Sequence, residues 1–205
     1  RQVHVMSLSR GYIMPIVLNG SGTVTGISAG GLPDGCITAA ELATGVGGKI
    51  LQVKQAVKTD VSSTQSTSFS EISDFTQSIT TIANSKVYIT GHFFFGSSPA
   101  YSTWFRLVRV DANGSTVYPY IGDAAGTSTR CSGGNYSGYY SYQGEHSSFM
   151  FLDTPSGAGS HSYKIEWMQG YSGGYTSYIG RDQQGSQDPT RGRIPSSLTL
   201  MEVSG

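Results

Sequence analysis

The chain lacks an excess of either charge: thirteen Lys and Arg are matched by thirteen Asp and Glu over 205 residues. A duplex-DNA binder needs a basic excess to displace counterions from phosphates, so no nucleic-acid partner is expected. The same balance gives no attraction to an anionic membrane surface. No run of about 18 apolar residues occurs, so no membrane insertion is expected either. The opening RQVHVMSLSRGYI carries no apolar stretch of signal-peptide length followed by a small-residue cleavage site. Cysteine is nearly missing. Cys36 and Cys131 are the two present, and they read as free thiols of a protein made in a reducing cytosol. Without a CxxC or clustered Cys and His, no metal and no cofactor is expected. Long helices are disfavoured as well, because 28 Gly and abundant Ser and Thr give up helix propensity.

What the chain does contain is strand signal. KILQVKQAV (49–57) alternates, with Leu51, Val53, Gln55 and Val57 on one side. KVYITGHFFF (86–95) is rich in β-branched and aromatic residues. In STWFRLVRVD (102–111), Phe105 and Leu107 oppose Trp104, Arg106 and Val108. DANG (111–114) follows as a turn, and STVYPYIG returns as its hairpin partner. SSFMFLD (147–153), SHSYKIEWM (160–168) and SSLTLMEV (196–203) complete the set, with Tyr163, Ile165 and Trp167 on one face of the second. Short strands with Gly/Ser/Pro-rich connections predict an all-β, jelly-roll-like antiparallel sandwich over 49–205. Ile50, Leu51 and Val53 are read as the start of its core, with an inter-chain contact as the alternative.

Residues 1–48 differ in kind. The segment 14–48 is glycine-laden and has little periodic hydrophobicity, so it buries too little surface to hold a shape alone. It reads as an extended N-terminal attachment arm. Thr38 to Glu41 has the spacing of a capping box, which predicts a short helix near 39–44, ended by the GVGG hinge at 45–48. Such an arm gains order by intertwining with copies of itself.

Three pieces together carry a family resemblance: MPIVLNGSGTVTGISAGGLPDGCITAAELATG, then GGKILQVKQAVKTD with STSFSEI, and the closing SSLTLMEVSG. The chain resembles the tail-fibre-like virion proteins of tailed bacteriophages, of the marine and cyanobacterial phage type, over about residues 14–205. Residues 1–13 precede the usual opening of that family. The resemblance implies a particle protein assembled in the host cytoplasm, usually a homotrimer. Its arm, residues 14–48, would join other virion proteins, and its knob would be β-rich. It implies no catalytic residue.

The residues agree that catalysis is not the expected business. Glycoside hydrolysis needs two carboxylates flanking the bond, and Asp123, Glu145, Asp153, Glu166, Asp182 and Asp188 form no recognisable pair. His92, His146 and His161 are scattered, and no GxSxG elbow is present. Tyrosine is where the sequence departs from the ordinary. Eight of its thirteen tyrosines fall between 136 and 178, in CSGGNYSGYYSYQGEHSS and GYSGGYTSYIGRD and the strand between them. Tyr with Ser, Gly and Asn is the composition of antibody loops, where the ring gives a rigid amphipathic surface. Aromatic rings stack on the apolar faces of sugars. Tyr136, Tyr139, Tyr140, Tyr142, Tyr171, Tyr175, Tyr178 and Arg181 are therefore the candidate binding residues, for a host-surface glycan. The alternative places Tyr140 and Tyr142 on a strand, packing across subunits or on Trp167. Two other functions are weighed, a purely structural capsid decoration protein and a short tail-spike depolymerase.

Overall fold

The computed structural model describes residues 17–18, 24–25, 50–97, 102–136, 143–185 and 189–205. The chain divides into Arg1–Gly47 and Gly48–Gly205, close to the boundary expected between arm and knob. In the first unit β1 (Val17–Leu18) pairs antiparallel with β2 (Val24–Thr25). The helix expected near 39–44, the GVGG hinge and Cys36 lie outside the described residues. No helix occurs among those described.

The second unit is two facing antiparallel sheets. The six-stranded sheet contains β3 (Ile50–Lys58), β4 (Ser62–Thr64), β6 (Lys86–Ser97), β10 (Gly144–Asp153), β12 (Ser177–Ile179) and β13 (Ser196–Val203). The five-stranded sheet contains β5 (Ser70–Thr81), β7 (Ser102–Val110), β8 (Thr116–Val117), β9 (Gly133–Tyr136) and β11 (Gly159–Gln169). Three passes of the chain are interrupted. Both β13 and β12 pair with one side of β6, at Lys86 to His92 and at Phe95 to Ser97. β3 and β4 follow them outside, and β8 and β9 share one side of β7. Merging each interrupted pass gives β3/β4, β13/β12, β6, β10 opposite β5, β11, β7, β8/β9. Counted in chain order, those are passes 1-8-3-6 and 2-7-4-5, the strand order of a jelly roll.

The core lies between the sheets and is built from phenylalanine. Phe93 sits at its centre, 5.0 Å from Phe105 and 5.7 Å from both Phe75 and Phe95, ring to ring. Gly91, one inward position away, makes room: a Cβ there would stand 2.3 Å from the Phe149 ring. Ile72, Ile89, Leu107, Ile165, Leu198 and Leu200 are fully buried around the rings. Each contributes roughly 1.5–3 kcal/mol by leaving water, and trimming Phe93 to Ala is expected to cost about 3–5 kcal/mol.

The expected hairpin forms. Gly114 takes φ 84° and donates to the Asp111 carbonyl, and Arg109 and Val110 pair with Val117 and Thr116. Tyr163, Ile165 and Trp167 face the core together, as their alternation predicts. β3 is the exception. Its alternation is real, but the apolar side faces away from the core, leaving Leu51, Val53 and Val57 exposed while Lys58 is buried. The registers explain it: Val53 and Val57 lie opposite Met201 and Ser197, whereas the inward Leu198 and Leu200 face Ala56 and Lys54. The reading of Ile50, Leu51 and Val53 as core is thereby corrected.

Candidate functional site

The two tyrosine-rich segments meet at one end of the sandwich because strand pairing carries them there. Tyr136 closes β9 opposite Ser102, at the start of β7. Gly170, just beyond β11, donates its backbone N–H to the Ser102 carbonyl over 2.8 Å. Tyr178 on β12 lies opposite Gly96 near the end of β6, with Gly144 on that glycine's other side. Tyr136, Tyr171 and Tyr178 therefore stand near the end of β6 and the start of β7. Tyr139, Tyr140 and Tyr142 belong to the segment linking β9 to β10, outside the described residues.

The placed rings differ in exposure. Tyr136 is 63% exposed and Tyr171 is 54% exposed. Tyr171 and Tyr175 are 5.8 Å apart at 53°. Tyr178 is half-buried, with the Arg181 guanidinium carbon 4.0 Å from its ring centroid, a cation–π contact that holds both groups in place. Beneath them the backbone is pinned. Thr103 and Ser177 share a buried hydroxyl pair at 2.6 Å, Gln169 N–H donates to the Ser66 carbonyl, and Gln65 Nε2 donates to Thr176 Oγ1 over 3.0 Å. The rings stand on a rigid floor.

Beside Tyr178 the segment after β12 lies across β6. Gly96 allows this approach, since a Cβ there would be 2.5 Å from the Arg181 carbonyl oxygen. Gly180 N–H donates to the Phe94 carbonyl, Asp182 Oδ1 accepts from Gly185 N–H, and Arg191 bonds Asp182 at 3.2 Å and Gln184 at 2.6 Å. These residues wall an open cleft of about 600 Å³ lined by Phe94, Gln143, Gly144, Asp182, Thr190, Arg191 and Gly192. Next to it lie two histidines that sequence reasoning left scattered: His92 Nε2 and His146 Nδ1 are 3.0 Å apart, and His146 packs 5.0 Å from Phe94. Only the pairing of β10 with β6 brings them together.

The eighth tyrosine belongs elsewhere. Tyr163 is fully buried toward the opposite end, where its hydroxyl donates to Asp153 over 2.8 Å. Burial, then the Asp153 carboxylate beside it, pushes its phenol well above the ordinary value. Asp153 also takes Arg109 Nη1 at 2.5 Å, Arg109 Nε lies 2.8 Å from Asp111, and Asp111 takes His161 Nδ1 at 2.9 Å. The second His161 nitrogen faces the Gly157 carbonyl at 3.2 Å. Burial pushes Asp111 up, but hydrogen bonds from Arg109, Ser156 and His161 outweigh it and hold the carboxyl below its usual range.

The candidate acids do not converge. Asp153 is locked in that network, Glu166 Oε2 accepts from both Nε and Nη2 of Arg106 at 2.8 and 2.7 Å, and Asp182 pairs with Arg191. Asp123 and Glu145 are exposed, while Asp188 lies outside the described residues. Among those described, no three His, Cys, Asp or Glu side chains cluster to hold a metal ion. Cys131 is a free thiol, its pKa raised by burial.

No protein-family model and no curated protein sequence matches the chain. Two solved structures are similar to it in part. A chain of infectious bursal disease virus, Gt strain, matches with a TM-score of 0.42 and 17% identity, covering 75% of this chain and 38% of that one. A chain of the Gx strain matches with a TM-score of 0.38 and 13% identity, covering 76% of this chain and 37% of that one. The present chain thus spans under two-fifths of the length of either. The jelly-roll assignment rests on its own strand order.

Proposed function

We propose that this chain is a non-catalytic structural subunit of a tailed-bacteriophage particle, a fibre- or spike-like protein that works by binding. Residues 14–48 attach it to other virion proteins, the subunits gather as a homotrimer, and the knob presents its tyrosine-rich end to a host-surface glycan. One observation carries the reading of the knob. Tyr136, Tyr171, Tyr175, Tyr178 and Arg181, drawn from two distant stretches of sequence, stand at one end of a rigid jelly roll. Flat exposed rings offer a sugar its preferred stacking surface at little cost in rotamer entropy. The Arg191–Asp182 wall of the adjacent cleft supplies polar edges for sugar hydroxyls.

Hydrolysis is the weaker reading, because Asp182 is the single acid among the cleft's described lining residues and the reaction needs two. Saturation-transfer NMR with host polysaccharide tests the binding reading. Transfer to tyrosine ring protons is expected, lost in the Tyr171→Ala/Tyr178→Ala variant. No transfer at millimolar sugar would end it, and release of reducing ends would restore the depolymerase. A capsid decoration role predicts no transfer, with the arm docked on the shell in cryo-EM images of virions.

A further inference from the structure

The outward face of the six-stranded sheet bears a pattern that solvent does not explain. Reading straight across four strands, Val53, Met201, Tyr88 and Leu152 stand in one row. The next row is Gln55, Thr199, Thr90 and Met150, and the one after is Val57, Ser197, His92 and Ser148. Leu51, Val53, Val57, Leu152 and Met150 are between 44% and 69% exposed. No carboxylate, ammonium or guanidinium occurs in the three rows; Lys86 stands beyond them. Of its polar groups, Gln55 Nε2 donates to Thr199 Oγ1 over 2.8 Å, the Tyr88 hydroxyl lies 3.2 Å from Met150 Sδ, and His92 Nε2 lies 3.0 Å from His146 beyond the rows.

The four strands are nine, eight, twelve and ten residues long. At about 4.8 Å between strands and about 3.4 Å per residue, they make a face on the order of 500–800 Å². Six of the twelve side chains in those rows are apolar, so the apolar part is on the order of 250–400 Å², in the range of the largest patch a lone soluble chain exposes, which is often functional. The whole face approaches the roughly 800 Å² that each partner contributes to a standard interface.

We infer that copies of this chain meet through this face, the β3–β13–β6–β10 surface of one packing on that of another. The occupant follows from charge. A partner bearing acids or bases would bury them unpaired against a surface that offers no counter-charge, which is costly. A face free of carboxylate, ammonium and guanidinium groups fits a copy of itself, and twofold association asks for such self-complementarity. Two sheets laid face to face pack about 10 Å apart, near enough for the Val53–Met201–Tyr88–Leu152 rows of the two copies to interdigitate. A contact between like faces is twofold and joins subunits in pairs, so it is distinct from the threefold gathering proposed above; the inference extends the self-association of that reading and stands apart from its glycan part.

Sedimentation of the full chain from about 1 to 100 µM tests it, since association follows mass action. The wild type should be oligomeric. Val53→Glu/Met150→Glu should weaken association at least about 100-fold with an unchanged β-type circular dichroism spectrum, roughly 2.7 kcal/mol. Ser78→Glu, on the outer face of the other sheet, should leave association as it was. A wild type that stays a lone chain overturns both the interface and the assembly reading. An oligomer untouched by the double variant overturns the interface alone. If that variant does not fold, peroxide oxidation of wild-type Met150 decides the matter by mass spectrometry. Slowing as concentration rises through the association range supports the interface; a rate independent of concentration, fast or slow, overturns it.

Discussion

The two ends of this sandwich use the same side chains for opposite purposes. At one end Tyr163, Arg109 and Asp153 lie within hydrogen-bond reach of each other, all buried. At the other, Tyr178 carries Arg181 on its ring and Asp182 pairs with Arg191, at the edge of an open cleft. In the first setting each charge has left water and depends on its partners, so the cluster acts as a fastener whose failure is expensive. In the second, Arg181 and Tyr178 stand half in water and their contact contributes little to folding, while Asp182, buried beside Arg191, fixes the segment that walls the cleft. The same side-chain types form a closed network at one end and an open edge at the other.

The largest expected effect comes from breaking the buried end. Arg109→Met leaves Asp153 and Asp111 buried without their cation and should cost about 3–5 kcal/mol in urea unfolding. Sugar binding per folded molecule should not change. Tyr163→Phe removes a single hydrogen bond to a charged acceptor and should cost about 1.5–3 kcal/mol in the same experiment. A loss below 0.5 kcal/mol would show that the network is not the fastener described.

Acid should act on the same end. Asp111 is held below its ordinary value as described, and Glu202 likewise: burial raises it, but bonds from Gln52, the Ile82 N–H and Ser85 outweigh that. A depressed folded pKa means that the unfolded chain binds more protons through the carboxylate range. The stabilisation is therefore complete above that range and is lost as pH falls through the folded values, by about 1.4 kcal/mol per pK unit for each group. Thermal midpoints measured from pH 6 downward should fall, and less steeply in Arg109→Met, where Asp111 has lost its cation. The smallest effect belongs to the open end. Tyr171→Ala and Arg181→Ala should shift stability by no more than about 0.5 kcal/mol, while weakening sugar transfer in the NMR experiment.

Much of the fold was legible because a half-buried strand announces itself by alternation. The strands at 86–97, 102–110, 159–169 and 196–203 stand where their patterns placed them. β5 escaped for a physical reason. Its core residues Ile72, Phe75 and Ile79 are spaced three and four apart, a helix-like interval. Asp74, at φ 58°, bulges the strand so that Thr76 and Glu71 face Lys164 and Glu166. For β3 the period was readable but not its direction, since alternation cannot say which side meets the core. The richness in tyrosine was legible from composition alone, and the topology then placed Tyr136, Tyr171 and Tyr178 at one end. The network of Arg109, Asp111, Asp153, His161 and Tyr163 was not, because nothing local marks residues from three strands as neighbours.

The interrupted passes have a bearing on how growth stops. Three of the four margins of the described sheets are spoiled as templates: β3 gives way to β4 across Asp60, β8 is separated from β9, and β5 is kinked at Asp74. A newcomer strand finds no long straight ladder there to extend. Copies that met broadside, as inferred above, would close into a finite cluster, and high concentration would not seed an endless ribbon.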